Sequence, residues 1–323
     1  MTLTASKEIH WPLDPPDIRW ETVPCNYCGR DDTRIYHRER LLYFGRPLVF
    51  TIVRCRHCGL VYTNPRLTEH NATYLLDASQ DAAAIEAHGR AKLPVYESAL
   101  DEIEALGKGP NDGRARTLLD VGCGTGHFLE AARRRGFEVA GIEPAPASAR
   151  YAREHFNVPI YEEDVFAAEL PPDQYDVITA WDVIEHVSDP RRFLQRISRW
   201  LKPEGILALR FPSAPWQKIK GVILHQILNS SWPSFGATMH LYFFSETTIA
   251  SMMQTAGMDM VHAKTTLAEA NSQNAYINQM KKASQAALRG IEYCSGKKLG
   301  NLEVYGRKRP HNDESTAQGE GAA

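Results

Sequence analysis

Four cysteines near the start of the chain have the spacing of a metal site. Cys25 and Cys28 form one C-x-x-C pair, and Cys55 and Cys58 form a second. Two such pairs supply the four thiolates of a closed tetrahedral Zn²⁺ site. A closed site leaves no position for a substrate, so the sequence predicts a structural zinc ion. The alternative interpretation is four reduced cysteines without metal.

A second segment of chemical interest is Thr117–Gly126. An apolar run ends at Asp120, and Gly122, Gly124 and Gly126 follow at alternate positions. Glycine permits positive φ and lets a ligand approach main-chain N–H groups closely. The segment therefore predicts a strand that runs into a ligand-binding turn, although this pattern alone also fits a dinucleotide enzyme.

Acidic residues follow the next two apolar runs. Glu143 ends the first of them, where a carboxylate can accept hydrogen bonds from both ribose hydroxyls of an adenosine ligand. Glu162, Glu163 and Asp164 follow the second, where a carboxylate can accept from the adenine amino group. Together they favour an adenosine-containing ligand.

Several titratable residues further along the chain are candidates for a general base, which assists a hydroxyl nucleophile. They are Asp182, Glu185, His186, His225 and His240. We expect Asp182, His186 and His240 to be catalytic. A packing or helix-capping role for His186 and a structural hydrogen bond for His240 are the alternatives.

The elements that position these residues follow from the alternation of apolar strands and helical segments, which predicts a parallel sheet. Strands are predicted at 117–121, 138–142, 159–162, 176–181, 205–211, 258–264 and 301–307. Helices are predicted at 127–135, 146–155, 190–201 and from 246 to Gly257, and a short apolar helix at 219–228.

These segments resemble, in order, the motifs of class I S-adenosylmethionine-dependent methyltransferases. The motifs are Leu118–Gly126, Gly141–Pro144, Glu163-Asp164 and Tyr175–Val187, and the similarity spans roughly 117–309. It is closest to the branch of ubiquinone-biosynthesis-type O-methyltransferases. The resemblance implies an α/β fold with a Rossmann-like seven-stranded sheet, and S-adenosylmethionine as the methyl donor.

The resemblance also implies roles for individual residues. Asp120 and the glycines would surround the methionine part of the cofactor, Glu143 the ribose, and Asp164 the adenine. Cys123 would be a small buried residue beside the cofactor. The full set of implied cofactor residues is Asp120, Gly122, Cys123, Gly124, Gly126, Glu143, Pro144, Asp164, Val165, Ala180, Trp181 and Asp182. Some members of the branch bind a divalent cation near the Glu-His pair, but Glu185 lacks a clear acidic partner at the usual helical spacing.

The predicted organisation has five parts. They are an extended lead-in over 1–21, a zinc ribbon over 22–66, a helical connector over 67–116, the methyltransferase domain over 117–309 and a disordered tail over 310–323. The ribbon holds eight arginines, no lysine and three acidic residues, which gives 8 − 3 = +5. We expect the ribbon and a long insertion at 212–239 to shape the acceptor site.

The net charge of −2 gives no global attraction to nucleic acid or membrane. No apolar run approaches the roughly 20 residues that span a bilayer, and the N-terminus lacks a signal-peptide core, so we expect a cytoplasmic protein. The predicted reaction is methyl transfer to a hydroxyl of a small-molecule or saccharide-type acceptor. One alternative is an RNA methyltransferase that holds RNA with its ribbon. The other is a non-catalytic, zinc-dependent interaction protein on a methyltransferase scaffold.

Overall fold

The computed structural model describes residues 17–43, 46–68, 82–107, 114–222, 234–266 and 300–310. Most of the predicted lead-in, His225 and the tail beyond Pro310 lie outside these ranges. The strands are β1 (Trp20–Glu21), β2 (Thr33–Tyr43), β3 (Arg46–Cys55), β4 (Val61–Thr63), β5 (Arg66–Leu67), β6 (Thr117–Val121), β7 (Glu138–Ile142), β8 (Ile160–Tyr161), β9 (Tyr175–Trp181), β10 (Leu201–Pro212), β11 (Tyr242–Phe243), β12 (Met258–Thr266) and β13 (Asn301–Lys308). The helices are α1 (Ala82–Ala91), α2 (Leu93–Leu106), α3 (His127–Arg134), α4 (Pro146–Phe156), α5 (Pro190–Trp200), α6 (Ala214–Val222) and α7 (Glu246–Thr255).

The larger sheet has seven strands in the order β12-β13-β10-β9-β6-β7-β8. The five strands from β10 to β8 are parallel, and β13 and β12 pair antiparallel at one end. This arrangement confirms the predicted seven-stranded, mostly parallel sheet. The chain runs outward from β6 through β7 to β8 and then returns to β9 on the other side of β6. Ligands of such sheets bind where the strand order reverses, beyond the carboxyl ends of β6 and β9.

The central strands form because their apolar runs are buried on both faces, as in other parallel sheets. In β6, Leu118, Leu119 and Val121 are each at most 1% exposed. The helices have local start signals as well. Ser245 Oγ accepts from Thr248 N, and Ser245 N donates to Thr248 Oγ1, which forms a capping box at the start of α7.

A second sheet of four strands, β11-β4-β3-β2, contains the predicted ribbon. β2 and β3 form a long antiparallel hairpin that runs from the Thr33–Cys55 pair to the Tyr43–Arg46 pair. The fourth strand, β11, lies between β10 and β12 in the chain. It pairs with β4 through Tyr242↔Tyr62 and Phe243↔Val61. The ribbon is therefore completed by a distant segment of the chain.

Two predicted helices differ from the observed ones. The helix expected at 219–228 begins at Ala214, where Ser213 Oγ accepts from Trp216 N at 3.4 Å, and 223–233 lie outside the described residues. The helix expected at 190–201 ends at Trp200, because Leu201 already pairs with Tyr175 in the sheet. Among the residues with described positions, no helix combines the length and apolarity needed to cross a bilayer.

Candidate functional site

The glycine turn after β6 has the backbone geometry that the sequence predicts. Gly122 and Gly124 have φ of 70° and 53°, a region that favours glycine. A Cβ on Gly122 would lie 2.5 Å from Val183 Cγ2, so this position is closed to any larger residue. A Cβ on Gly124 would meet no atom within 4 Å, so open space lies beside this main chain. The turn thus leaves room for a ligand at Gly124.

Glu143 bridges the turn from the neighbouring strand. Its Oε2 accepts from Gly124 N at 2.8 Å and its Oε1 accepts from Ala145 N at 2.9 Å. Burial raises the pKa of Glu143, although these two N–H groups counteract the shift. The carboxylate is therefore fixed at the floor of the turn, where the hydroxyls of a ribose would find an acceptor.

Asp120 ends β6 under the turn and is 1% exposed. Thr179 Oγ1 donates to its Oδ1 at 2.7 Å. Burial raises the pKa of Asp120 to about 8, the Thr179 bond opposes this shift, and the charge of Glu143 adds to it. Thr179 was not among the predicted site residues.

Cys123 and Pro144 flank the turn in different environments. Cys123 is buried, and a Cβ on Gly141 would lie 2.5 Å from its sulfur, so the thiol packs against β7. Burial raises the pKa of the thiol well above its ordinary value, which makes it inert as a nucleophile. Pro144 is exposed at the end of β7.

The predicted adenine side lies at the end of β8. Asp164 is exposed, and its Oδ1 accepts from Phe166 N at 2.7 Å, which orders the short turn that follows. Val165 is buried in the core below this turn. The site thus has an exposed carboxyl group above an apolar side chain.

Ala180 and Trp181 end β9, next to β6, and Asp182 follows directly. Ala180 is fully buried, and the Trp181 ring packs against Phe128 and Tyr96 at centroid distances of 5.1 and 6.1 Å. The Trp181 side chain is therefore part of the core beneath helices α2 and α3, and its main chain forms the edge of the crevice.

Asp182 is held by two cations that the sequence did not single out. Lys92 Nζ donates to Asp182 Oδ2 at 2.8 Å, and Arg210 Nε lies 3.4 Å from Oδ1. Although burial alone would raise it, these charges lower the pKa of Asp182, so the group is a carboxylate at neutral pH. Its φ of 58° turns the chain sharply at the end of β9.

Glu185, His186 and His240 come together beside Asp182. Their ligand atoms all lie within 4.8 Å of one another, with His186 Nε2 3.9 Å from Glu185 Oε1. The two imidazole rings meet edge to face at 4.8 Å. Neither oxygen of Glu185, which is 1% exposed, has a hydrogen-bond partner among the residues that the structure places. The spacing also suits one divalent cation.

Main-chain carbonyls orient both histidines. His186 Nδ1 lies 3.1 Å from Met239 O, and His240 Nδ1 lies 2.7 Å from Phe235 O. A carbonyl only accepts, so each Nδ1 carries the proton and each Nε2 keeps its lone pair. Burial lowers the pKa of His186, and burial together with His186 lowers that of His240 to about 4. Both rings are therefore neutral and able to accept a proton or a metal ion.

The four cysteines of the ribbon form one cluster. The Sγ atoms of Cys25 and Cys58 are 3.4 Å apart, those of Cys28 and Cys55 are 3.5 Å apart, and all four lie within 4.8 Å of one another. A Zn–S bond of about 2.3 Å puts the sulfurs of a tetrahedral site about 3.8 Å apart, so the cluster fits Zn²⁺. Burial raises the pKa of Cys25 to about 11. Cys55 is desolvated too, but N–H groups of Cys58 and His57 lower its pKa to about 7.

The ribbon contacts the segments that carry the histidines. Thr63 N donates to Leu241 O at 2.9 Å, and Thr63 Oγ1 donates to His240 O at 3.1 Å. On the other side, Arg66 Nη1 donates to Ser188 O at 3.3 Å. The ribbon thus borders the segments that carry His186 and His240.

Residues 90–263 match the sequence model of a family described as a methyltransferase domain. The chain belongs to this family. The matched range of the methyltransferase begins in α1, so it includes Lys92, and it leaves out the ribbon. Membership supports S-adenosylmethionine as the cofactor, and the open turn at Gly124 with the carboxylate of Glu143 fits that molecule.

Curated relatives match a central part of the methyltransferase. A ubiquinone biosynthesis O-methyltransferase of Rhodopseudomonas palustris is 34% identical over 104 residues, which cover 31% of this chain and 41% of the relative. The enzyme of the same name from Caulobacter vibrioides is 36% identical over 118 residues, which cover 32% and 46%. The chain thus spans less than half the length of these relatives.

Solved structures share the fold of the methyltransferase. A chain of the complex between the Haloferax volcanii Trm112 methyltransferase activator and a methyltransferase has a TM-score of 0.51 at 16% identity, covering 71% of this chain and 96% of its own. Phosphoethanolamine N-methyltransferase 2 of Haemonchus contortus has a TM-score of 0.52 at 15% identity, covering 79% and 65%.

Proposed function

We propose that this protein transfers a methyl group from S-adenosylmethionine to a hydroxyl oxygen of a small-molecule or saccharide-type acceptor, with His186 as the general base. The observation that carries this proposal is the orientation of His186. Its Nδ1 donates to Met239 O, which leaves the Nε2 lone pair available beside Asp182 at the cofactor crevice. The family match supports the donor, and the names of the curated relatives support oxygen as the acceptor atom.

Bound S-adenosylmethionine supplies an electrophilic methyl group on a sulfonium sulfur, so the acceptor oxygen forms a bond to carbon as the carbon–sulfur bond breaks. The proton of the hydroxyl passes to His186 Nε2. Burial lowers the pKa of His186, but the negative charge of Asp182 opposes that shift and so stabilises the resulting imidazolium. Positioning supplies the rest, because aligned reactants avoid the entropic cost of meeting.

We also propose that Cys25, Cys28, Cys55 and Cys58 bind a structural Zn²⁺. Their four sulfurs lie close enough together to form the corners of one tetrahedral site, and the glycine after each pair has positive φ. Main-chain N–H groups of the residues after each pair, Gly29 and Gly59, donate to the carbonyls of the first cysteines at 2.7 and 3.1 Å. The metal would join the two turns and would take no part in methyl transfer.

The general base is tested by replacing His186 with asparagine. We expect kcat to fall by about 10²- to 10⁴-fold, the range for loss of a general base, with unchanged affinity for S-adenosylmethionine. The measurement is production of S-adenosylhomocysteine with a panel of hydroxyl acceptors. His155→Asn, an exposed histidine on α4, is the matched control and should keep full activity. Turnover by His186→Asn at the wild-type rate would contradict the proposal.

A divalent cation on Glu185, His186 and His240 is a competing role for the same cluster. Asp182, three residues before Glu185, is committed to Lys92 and does not join it. Turnover measured with and without added Mg²⁺ or Mn²⁺ separates the two. A general base predicts no change, and a cation site predicts strong stimulation.

An RNA acceptor is the second candidate function. Arg34, Arg54, Arg56 and His57 line a cavity of about 460 Å³ beside the second knuckle. Arg34 and Arg54 are direct cross-strand partners, a like-charge pair that a phosphate would stabilise. RNA binding would weaken steeply with salt. No binding to structured RNA at low salt eliminates this candidate.

A further inference from the structure

Glu39 is a buried acidic residue in the middle of the ribbon hairpin. It lies on β2 between two exposed arginines, and it is 3% exposed. A carboxylate in such a place destabilises the fold unless hydrogen bonds replace its lost water. Its partners therefore indicate why the position is acidic.

The Glu39 carboxylate binds the start of the segment that leads to His240. Oε1 accepts from Ser234 N in a short bond, from Ser234 Oγ at 3.1 Å and from Phe235 N at 2.9 Å. Oε2 accepts from Gly236 N at 2.9 Å and from Ala237 N at 3.3 Å. Four consecutive N–H groups thus converge on one carboxylate, in the manner of an anion-binding nest.

Side chains of the same strand hold this turn as well. The His37 ring stacks on the ring of Phe235 at 4.9 Å, and Tyr36 meets it edge to face at 6.1 Å. Phe235 itself is fully buried. β2 therefore fixes both the main chain and the side chain of residue 235.

This turn also orients the rings of the two histidines. His240 N donates to Gly236 O at 3.0 Å, and His240 Nδ1 donates to Phe235 O at 2.7 Å. Met239 N donates to the same Gly236 O at 3.1 Å, and Met239 O accepts from His186 Nδ1. The carbonyls that orient both rings therefore belong to the loop that Glu39 organises.

We propose that Glu39 is a positioning residue of the active site, through which the ribbon fixes the ring orientation of His240 and, through Met239, that of His186. Its relevance to catalysis rests on the methyl transfer proposed above. The effect of Glu39 on ring orientation does not depend on that proposal, because ring orientation can be measured without a substrate.

The decisive variant is Glu39→Gln, which nearly keeps the size of the side chain but turns one acceptor oxygen into an N–H donor that faces N–H groups. We expect the ring ¹⁵N resonances of His240 to show a changed tautomer balance, with His240→Asn giving the assignment. Zinc content and affinity for S-adenosylmethionine should stay within about twofold of wild type. With an acceptor in hand, kcat should fall by at least tenfold and up to about 100-fold, the cost of misplacing a reacting group by about 1 Å.

A double-mutant cycle separates positioning from general stability. If Glu39 acts through the histidines, Glu39→Gln should have little further effect on kcat in a background that carries both His186→Asn and His240→Asn. Asp32→Asn, which changes an exposed carboxylate of the same ribbon, is the matched control and should alter nothing. Additive effects, or His240 resonances unchanged by Glu39→Gln, would overturn the inference.

If Glu39→Gln does not fold, Gly236→Ala tests the same link from the other side. Gly236 has φ of 67°, and a Cβ there would lie 3.3 Å from His240 Nδ1. We expect the same change in the His240 resonances. Resonances that stay as in the wild type would also overturn the inference. Because the resonances need no acceptor, failure to find methyl transfer leaves this test intact.

Discussion

Asp120 shows how one buried carboxyl group below the glycine turn links stability to pH. Its folded-state pKa of about 8 lies above the ordinary value of 3.8, first because of burial and then because of the charge of Glu143. Between these pH values the native state holds a proton that the unfolded chain releases. The free energy of unfolding therefore decreases as pH rises through this window.

We predict that Asp120→Asn removes this pH dependence. The variant should gain stability relative to wild type as pH increases from about 4 to 8, as measured by urea unfolding at several pH values. Asp176→Asn should behave in the opposite way. Although burial would raise its pKa, Lys202 and Thr117 hold the pKa of Asp176 below its ordinary value of 3.8. Above pH 3.8, Asp176→Asn should therefore be less stable than the wild type. Parallel pH profiles for wild type and Asp120→Asn would contradict the assignment.

Glu143→Ala should weaken the affinity for S-adenosylmethionine by at least tenfold, about 1.4 kcal/mol. The variant removes the acceptor that fixes Gly124 N and Ala145 N and that faces the proposed ribose site. Glu138→Ala, an exposed glutamate at the other end of the same strand, is the control. Calorimetric titration gives both dissociation constants, and equal values would show that the cofactor lies elsewhere.

The sequence predicts residues whose neighbours in the chain carry the signal, and it misses those placed by tertiary contacts. Asp120 and Glu143 follow apolar strands and belong to recognisable motifs. Lys92 has no such signal, because its partner Asp182 is 90 residues away. Arg210 did have one, since a charged residue in the apolar strand β10 requires a carboxylate, and it is 3% exposed.

At the scale of elements, α5 is joined to the first zinc knuckle through its N-terminus. Asp189 Oδ1 accepts from Arg192 N at 2.9 Å and from Asn26 Nδ2 at 2.9 Å. Asn26 Oδ1 accepts from Arg191 N at 3.2 Å. A residue between Cys25 and Cys28, two of the proposed zinc ligands, thus completes the cap of a helix in the methyltransferase domain.

Asp189→Ala should lower the free energy of unfolding by about 1 kcal/mol, the usual value of an N-cap. Asn26→Ala should destabilise as well, and the double variant should lose less than the sum because the residues share one hydrogen bond. Urea unfolding measures all three. The exposed Glu169→Ala is a neutral control. Strict additivity would mean that the knuckle and the helix are energetically independent.

Element boundaries are predictable where the local pattern and the tertiary structure agree. β6 and β7 have the bounds that their apolar runs predict, Thr117–Val121 and Glu138–Ile142. The β2–β3 hairpin is harder to predict, because many of its positions are polar and pair across the hairpin without an apolar signal. The helix α6 is earlier than expected because its start is set by Ser213, which also donates to Gly300 O at 2.8 Å, a contact that no local pattern reveals.

At the scale of the whole molecule, the proposed zinc site should stabilise the rest of the protein as well as the ribbon. Cys58→Ser should abolish zinc binding and lower the melting temperature of the complete protein, since metal binding contributes directly to folding. Zinc content by mass spectrometry and thermal unfolding give the two readouts. Cys123→Ser, which changes a buried cysteine outside the cluster, should keep its zinc. An unchanged melting temperature for zinc-free Cys58→Ser would mean that the metal has no structural role.

The pairing of β4 with β11 also has a consequence for synthesis on the ribosome. Thr63 emerges about 180 residues before the strand that completes its sheet, which corresponds to roughly 10 to 35 seconds at 5–20 residues per second. During this interval β4 is an open edge strand, the kind of surface that nascent chains use to pair wrongly. Exposed arginines along the β2–β3 hairpin would repel a second nascent copy until β11 has been synthesised. They are Arg34, Arg38, Arg40, Arg46 and Arg54.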